Sequence, residues 1–379
     1  MHDPLDPTRS NPPELPRQDN LLPNQPTDAP APEPAEPSIL PNQPTDAAPT
    51  PTTEQLPDWT EPQLDVRLVR TTVEMVKEQI RKVIVGQEEM LDLLLIALFT
   101  NGHVLIEGVP GVAKTLTAKM LARTVELPFS RIQFTPDLMP SDVVGTTVFN
   151  VKESEFFFAP GPVFASVVLI DEINRAPAKT QSALFEVMEE AQVTVDGTTY
   201  DMEQPFLVLA TQNPIEQAGT YKLPEAQLDR FLFKIDVDYP SLAEEQTILR
   251  RFRRDFQQTR TEEVQPVTSG ADILRVRALI ERVQITDALL DYIAEIIHTT
   301  RRHPDLYLGA SPRASLAVLR ASKAVAAMQG RDFVTPDDIQ YVARPVLNHR
   351  VVLTPEREME GTLPEEVLGE LVRGVAVPR

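Results

Sequence analysis

The 379-residue chain has no cysteine, which excludes disulfides, iron–sulfur clusters and thiolate chemistry. Its five histidines show no metal-ligand spacing, so a resident metal centre is not expected. Long apolar runs are also missing. The longest, over residues 93–99 and 164–170, fall well short of the roughly 20 residues that a membrane helix needs. The start, Met1-His2-Asp3-Pro4, lacks the basic residues and apolar segment of a secretory signal, which leads to the expectation of a cytoplasmic protein. Basic residues are outnumbered, 36 against 56, and the formal charge of −20 repels phosphate backbones. Non-specific nucleic-acid binding by the average surface is therefore disfavoured, although a basic interior can exist within an acidic assembly. What is present is a 42% apolar composition, enough to build one or two domains with real cores.

Proline is unevenly spread. Residues 1–60 hold 16 of the 36 prolines and ten acidic against two basic side chains, with no apolar periodicity. Such a segment cannot bury enough surface to offset its ordering entropy, so 1–62 reads as a disordered tail of polyproline character. Within it Leu22-Pro-Asn-Gln-Pro-Thr-Asp-Ala29 recurs as Leu40-Pro-Asn-Gln-Pro-Thr-Asp-Ala47, a duplicated linker unit or a docking motif present twice. From about Asp65 an apolar stripe of Val66, Leu68, Val69, Val73, Val76, Ile80 and Val83 predicts a helix ended by Gly86, and a second helix covers Glu88–Phe99. Strands and helices then alternate to about Pro240, predicting an α/β domain over 63–240 with a parallel sheet covered by helices. Beyond it the pattern is helical: a linker helix region over 241–268, a helical lid domain over 269–355 and a C-terminal tail over 356–379.

The chemistry concentrates at strand ends. Residues 103–107 form a short apolar strand that runs into Gly108-Val109-Pro110-Gly111-Val112-Ala113-Lys114-Thr115 and a helix continuing through Leu116. This strand, loop and helix context is what a phosphate-binding loop requires. Backbone N–H groups surround the phosphates, Lys114 offsets charge on the two terminal ones, and the Thr115 hydroxyl holds Mg²⁺ that arrives with the nucleotide. One departure stands out. Ala113 occupies the place of a glycine, and its methyl is tolerable there if φ is negative. A second apolar strand, residues 167–170, ends in Asp171-Glu172. Asp171 would hold Mg²⁺ through water, and Glu172 would orient and polarise the attacking water. A third strand, residues 206–210, ends in Thr211-Gln212-Asn213, where an amide can position that water or simply serve the turn before Pro214.

Seven ordered blocks then resemble the MoxR group of AAA+ ATPases: Ile84-Val-Gly-Gln87, Gly108 to Thr115, Arg131-Ile-Gln-Phe-Thr-Pro-Asp137, Pro140-Ser-Asp142, Ile170-Asp-Glu-Ile-Asn-Arg-Ala176, Ala210-Thr-Gln-Asn-Pro214 and Leu223-Pro-Glu-Ala-Gln-Leu-Asp-Arg-Phe231. The resemblance spans most of 65–355, and in this family alanine before the loop lysine is a familiar variant. It implies an AAA+ α/β core with a helical lid. It also implies that Val85, Gly86 and Gln87 pack on adenine, Asn213 is the polar sensor, Arg230 an arginine finger and Arg313 a second sensor. A local reading supports the last: Ser311-Pro312-Arg313 forms the N-cap and first turn of a lid helix, where a phosphate is favoured. By resemblance the protein is expected to be an ATP hydrolase working as a homo-oligomeric ring, most often a hexamer. Its partner would often carry a von Willebrand factor A-type domain, and the outcome would be protein remodelling or maturation.

Two insertions distinguish this pattern from simpler AAA+ proteins. Residues 193–200 alternate around Asp196-Gly197, a hairpin signal. Between Pro136 and Pro162 a second hairpin carries Phe156, Phe157 and Phe158, which cannot all face one side of a strand. Either both faces are covered by protein or one face contacts clients. Competing functions are a chelatase-type motor subunit, distinguishable only by partner, a nucleic-acid motor, disfavoured by charge, and a scaffold that binds nucleotide without turnover, disfavoured by the presence of Glu172 and Arg230.

Overall fold

The chain enters its folded part through two helices of different character, α1 (Arg67–Arg81) and α2 (Glu88–Phe99). α1 buries one stripe, Val69, Val73, Val76 and Ile80, whereas α2 is buried almost all round from Met90 to Phe99, as its near-continuous apolar run requires. Gly86, expected to end the first helix, lies five residues beyond it in the turn that leads into α2, with φ +70°. The computed structural model describes residues 64–213, 221–253 and 260–378. The proline-rich tail and its repeated unit lie outside them.

Next come β1 (Val104–Gly108), α3 (Lys114–Thr124), β2 (Phe129–Gln133), the short α4 (Pro140–Val144), β3 (Gly145–Asn150), β4 (Glu155–Pro160), β5 (Val167–Asp171) and α5 (Ala178–Glu190). They are followed by β6 (Gln192–Val195), β7 (Thr198–Asp201), β8 (Leu207–Gln212), α6 (Glu225–Leu228) and β9 (Phe233–Val237). Five of these strands form one parallel sheet in the order β2-β5-β8-β1-β9. Strand side chains alternate between faces, so the three central strands β5, β8 and β1 feed two cores. Val104, Ile106, Val167, Leu169, Leu207 and Leu209 pack into the core that also holds α1, α2 and α3. Leu105, Val168, Ile170, Val208 and Ala210 enter the other, with Phe134, Phe185 and Phe231. Burial on both faces explains the apolar runs of β1, β5 and β8, whereas the edge strands β2 and β9 carry polar residues. The register aligns their carboxyl ends: Gln133 lies opposite Asp171, Glu107 opposite Gln212 and Gly108 opposite Val237. Loops leaving these ends are thereby gathered along one edge, where open parallel sheets bind ligands.

The remainder is α7 (Leu242–Phe252), α8 (Gly270–Glu281), α9 (Asp287–Thr300), α10 (Pro312–Met328), α11 (Pro336–Leu347), α12 (Pro355–Met359) and α13 (Pro364–Gly374). It is not wholly helical, because β10 (Leu306–Leu308) pairs antiparallel with β11 (Val352–Leu353). Nor is the stretch from residue 356 a tail. Val367, Leu368, Leu371 and Val372 recur at helical spacing along α13 and are buried, so this helix belongs to the core of the C-terminal half. The stretch from 241 holds α7, whose Ser241 cap and Glu244 bond reciprocally.

Both hairpins form, as pairs β3–β4 and β6–β7. Asp196 and Gly197 each have positive φ, 49° and 80°, the two-residue turn that matches strand twist. The three phenylalanines separate. Phe158 stacks on Tyr200 of the other hairpin at 4.2 Å between centroids, whereas Phe156 and Phe157 are exposed, Phe156 to 73%.

Candidate nucleotide site

The loop between β1 and α3 is shaped by its backbone. A Cβ on Gly108 would lie 2.4 Å from the Val237 carbonyl oxygen, so only glycine fits. Gly111 has φ +87° with open space where a side chain would be. Ala113 has φ +58°, not the negative value expected of it. The loop demands a left-handed residue just before the helix, and alanine adopts it at a cost of roughly 1–2 kcal/mol. α3 begins at Lys114 with no side-chain cap and no acidic residue in its first turn, which leaves its N–H groups for an anion. Lys114 Nζ donates to the Gly108 carbonyl at 2.6 Å. Burial lowers the Lys114 pKa, while Asp171, Glu107 and Glu172 work to raise it, which places all three carboxylates within electrostatic reach. Thr115 and Leu116 continue the first turn.

Val85 and Gln87 line an apolar cleft of about 240 Å³ beside Gly111, Val112, Ala113 and Leu116. Gln87 also ties this turn to the loop, its Nε2 donating to Val112 O at 2.6 Å. The cleft is closed by residues that sequence reading missed: Pro240, Ile248 and Phe252, the last two on α7. A flat, apolar slot next to a bare helix N-terminus fits a base and its phosphates. Val109 and Pro110 complete the connection.

At the ends of β5 and β8 the acidic pair is held by neighbours. Asp171, 7% exposed, accepts from Arg131 Nε at 2.6 Å and from Thr211 Oγ1 at 3.1 Å. Glu172, in left-handed backbone, accepts from Gln133 Nε2 at 2.7 Å and pairs with Arg175 at 2.9 Å, while its N–H donates to Thr211 Oγ1. Arg131 and Gln133 were therefore missed as site residues. Their signal was present: two apart on a strand, they lie on one side of β2, which pairs with β5. Asn213 follows β8 directly at the same edge. Acidic groups within electrostatic reach of Lys114 at this edge suit a nucleotide-bound Mg²⁺.

Arg230 and Arg313 are elsewhere. Arg230 Nη1 donates to Phe185 O at 2.7 Å and its Nη2 pairs with Glu189 at 2.9 Å, with the guanidinium over the Phe185 ring. Arg313 pairs with the other oxygen of Glu189 at 2.5 Å. Ser311 caps α10 as expected, accepting from Arg313 N–H at 3.2 Å, with Pro312 as the first helical residue. The two guanidiniums line a cleft with Gly102 and His103, which precede β1, and Leu232, which precedes β9. This is the amino edge of the sheet, a strand length or roughly 15 Å from the phosphate loop. Arg313, read as a nucleotide-binding residue, does not contact its own chain's loop.

Residues 103–233 match the model of the ATPase family associated with various cellular activities, and residues 298–371 match the AAA lid domain. Fold and loop together are those of an AAA+ ATPase. The chain is 48% identical over 301 residues to the uncharacterised protein YeaC of Bacillus subtilis, covering 79% of this chain and 93% of that protein. It is 45% identical over 317 residues to the chaperone MoxR1 of Mycobacterium tuberculosis, covering 81% and 83%. A candidate ATPase from Cytophaga hutchinsonii, in a crystal structure at 2.00 Å, superposes with a TM-score of 0.77 at 44% identity, covering 83% of this chain and 97% of that one. The chain belongs to the MoxR family.

Proposed function

We propose that the chain is a Mg²⁺-dependent ATP hydrolase that acts in a cytoplasmic homo-oligomeric ring, most simply a hexamer, each site being completed by a neighbour. One observation carries this reading: the loop, Lys114 and the acidic pair share one sheet edge, while two guanidiniums share a carboxylate at the other. Gly108 to Leu116 cradle the phosphates, and Val85, Gly86 and Gln87 pack on adenine. Thr115 and Asp171 would hold Mg²⁺, which would offset charge on the phosphates when bound. Glu172 exchanges its bonds to Gln133 and Arg175 for the attacking water, whose proton it accepts, and Asn213 orients that water. Arg230 and Arg313 leave Glu189 for the γ-phosphate of the adjoining subunit, where charge develops.

Turnover drives chaperone-like remodelling or maturation of a partner, such as metal insertion or complex assembly, and a partner with a von Willebrand factor A-type domain suits the family. The exposed Phe149, Phe156 and Phe157 on the β3–β4 hairpin give the ring a surface with which to grip such a client. The absence of a helix long and apolar enough to cross a membrane, among the described residues, fits a client met in solution. The test is mixing. Arg230→Ala keeps its nucleotide site and Glu172→Gln keeps its finger, so the two inactive variants should recover ATPase activity together. Specific activity should also rise with protein concentration. A fully active, concentration-independent Arg230→Ala protein would refute assembly-dependent catalysis.

A further inference from the structure

The segment that presents Arg230 is fastened to the C-terminal helical half of the chain. Arg350, just beyond α11, is buried with its side chain 2% exposed, and it spends its guanidinium on this segment. Its Nε donates to Asp229 Oδ1 at 2.7 Å, Nη1 to Leu232 O at 3.0 Å, and Nη2 to Phe231 O at 2.6 Å and Asp229 O at 3.1 Å. His349 adds a bond from Nε2 to Phe231 O at 2.9 Å. The second oxygen of Asp229 accepts from Ser311 Oγ at 2.8 Å, and Ser311 in turn caps the helix turn that bears Arg313. The ring of contacts closes at Glu189, which holds both Arg230 and Arg313.

Interdomain adhesion alone explains this poorly. A buried guanidinium is costly to desolvate, and well-packed apolar residues commonly hold two units together as well or better. What charge and five directed donors provide is geometry: one side chain fixes the carboxylate before Arg230 and three carbonyls around it. We infer that Asp229, clamped by Arg350 and Ser311, is a positioning residue that sets Arg230 and Arg313 as one unit, so that a shift of the lid moves the finger presented to the neighbouring subunit. This rests on the reading that Arg230 acts in the neighbour's site.

Asp229→Asn keeps the shape but removes the charge that binds Arg350 and Ser311 together. The variant should bind ATP at its own site within about twofold of the parent, with KM little changed, while kcat falls between about tenfold and a hundredfold, the range that a misplacement of about 1 Å produces. Complementation separates positioning from general damage. Asp229→Asn should recover activity when mixed with Glu172→Gln, which supplies a sound finger, and should recover none with Arg230→Ala. Wild-type turnover, or rescue of Arg230→Ala without rescue by Glu172→Gln, would overturn the inference. Arg350→Lys, which keeps a cation beside Asp229 but cannot reach three carbonyls, is judged by the same pairings if Asp229→Asn does not fold. The control pair of Arg230→Ala with Glu172→Gln distinguishes the two failures. If that pair stays inactive, the trans reading falls and the clamp with it. If it recovers while Asp229→Asn groups with the site-defective variants, only the clamp falls.

Discussion

The two edges of the central sheet are built by different means. At the carboxyl edge the functional groups sit within a few residues of strand ends and much of the ligand surface is backbone: loop N–H groups, a helix N-terminus, and Lys114 beside Asp171 and Glu172. At the amino edge the groups are long side chains from α5, the turn after α6 and the start of α10, converging on Glu189. In the first, the loop is local to one strand–loop–helix unit, and the parallel sheet brings the acidic pair and its holders alongside it. The second exists only once the helical lid is docked. In the proposed ring, a site divided in this way would make binding a property of one chain and catalysis a property of the assembly.

The largest expected effect removes the carboxyl edge. Lys114→Ala should abolish tight ATP binding, because its ammonium is the group that offsets charge on the two terminal phosphates, and a calorimetric titration that still shows micromolar binding would mean that the phosphate loop lies elsewhere. Next comes the amino edge. Arg230→Ala should bind ATP normally and hydrolyse it on the order of 10³-fold more slowly, so equal losses of binding and turnover would erase the distinction between the edges. Glu172→Gln returns to the carboxyl edge. Binding should survive with turnover reduced roughly 10²-fold or more, whereas joint loss of both would make this carboxylate structural.

A smaller effect concerns a buried histidine of the amino edge. His103, between α2 and β1, accepts from Val208 N–H at Nδ1, so the proton lies on Nε2, which donates to Met188 O at 2.9 Å. Burial pulls its pKa down to about 4, and His349 is shifted the same way by burial and then by Arg350. The unfolded chain, with histidine near the ordinary value of about 6.5, takes up the proton first. Stability should therefore be complete above about pH 6.5 and be lost as pH falls toward 4, by an amount on the order of 3 kcal/mol for His103. Urea midpoints at pH 7 and 4.5 check this, and His103→Gln should be less stable at pH 7 yet flatter across that window. The smallest effect is at the loop. Ala113→Gly should relieve left-handed strain and raise stability by about 1 kcal/mol or less, since glycine's greater unfolded-state freedom offsets part of the gain. A clear loss of stability would mean that the alanine methyl contributes packing that outweighs the strain.

The sequence alone was enough for strands β1, β5 and β8, for the glycine-bearing loop before α3, for the place of Asp171-Glu172 at a strand end and for both hairpins. Each depends on near neighbours: apolar runs for buried strands, glycines for the loop, Asp196-Gly197 for the turn. It did not reveal the sign of φ at Ala113, because that is set by how the loop turns into α3. Nor did it show that Arg131 and Gln133 hold the acidic pair, which follows from β2 being laid beside β5 across the chain. The α7 side of the base cleft and the packing of α13 were hidden for the same reason. Tertiary structure alone decided that Arg313 stands with Arg230 at the amino edge. A guanidinium's partner is chosen by which long-range surfaces meet, and no periodicity along the chain records that the α10 turn docks beside Asp229 and Glu189.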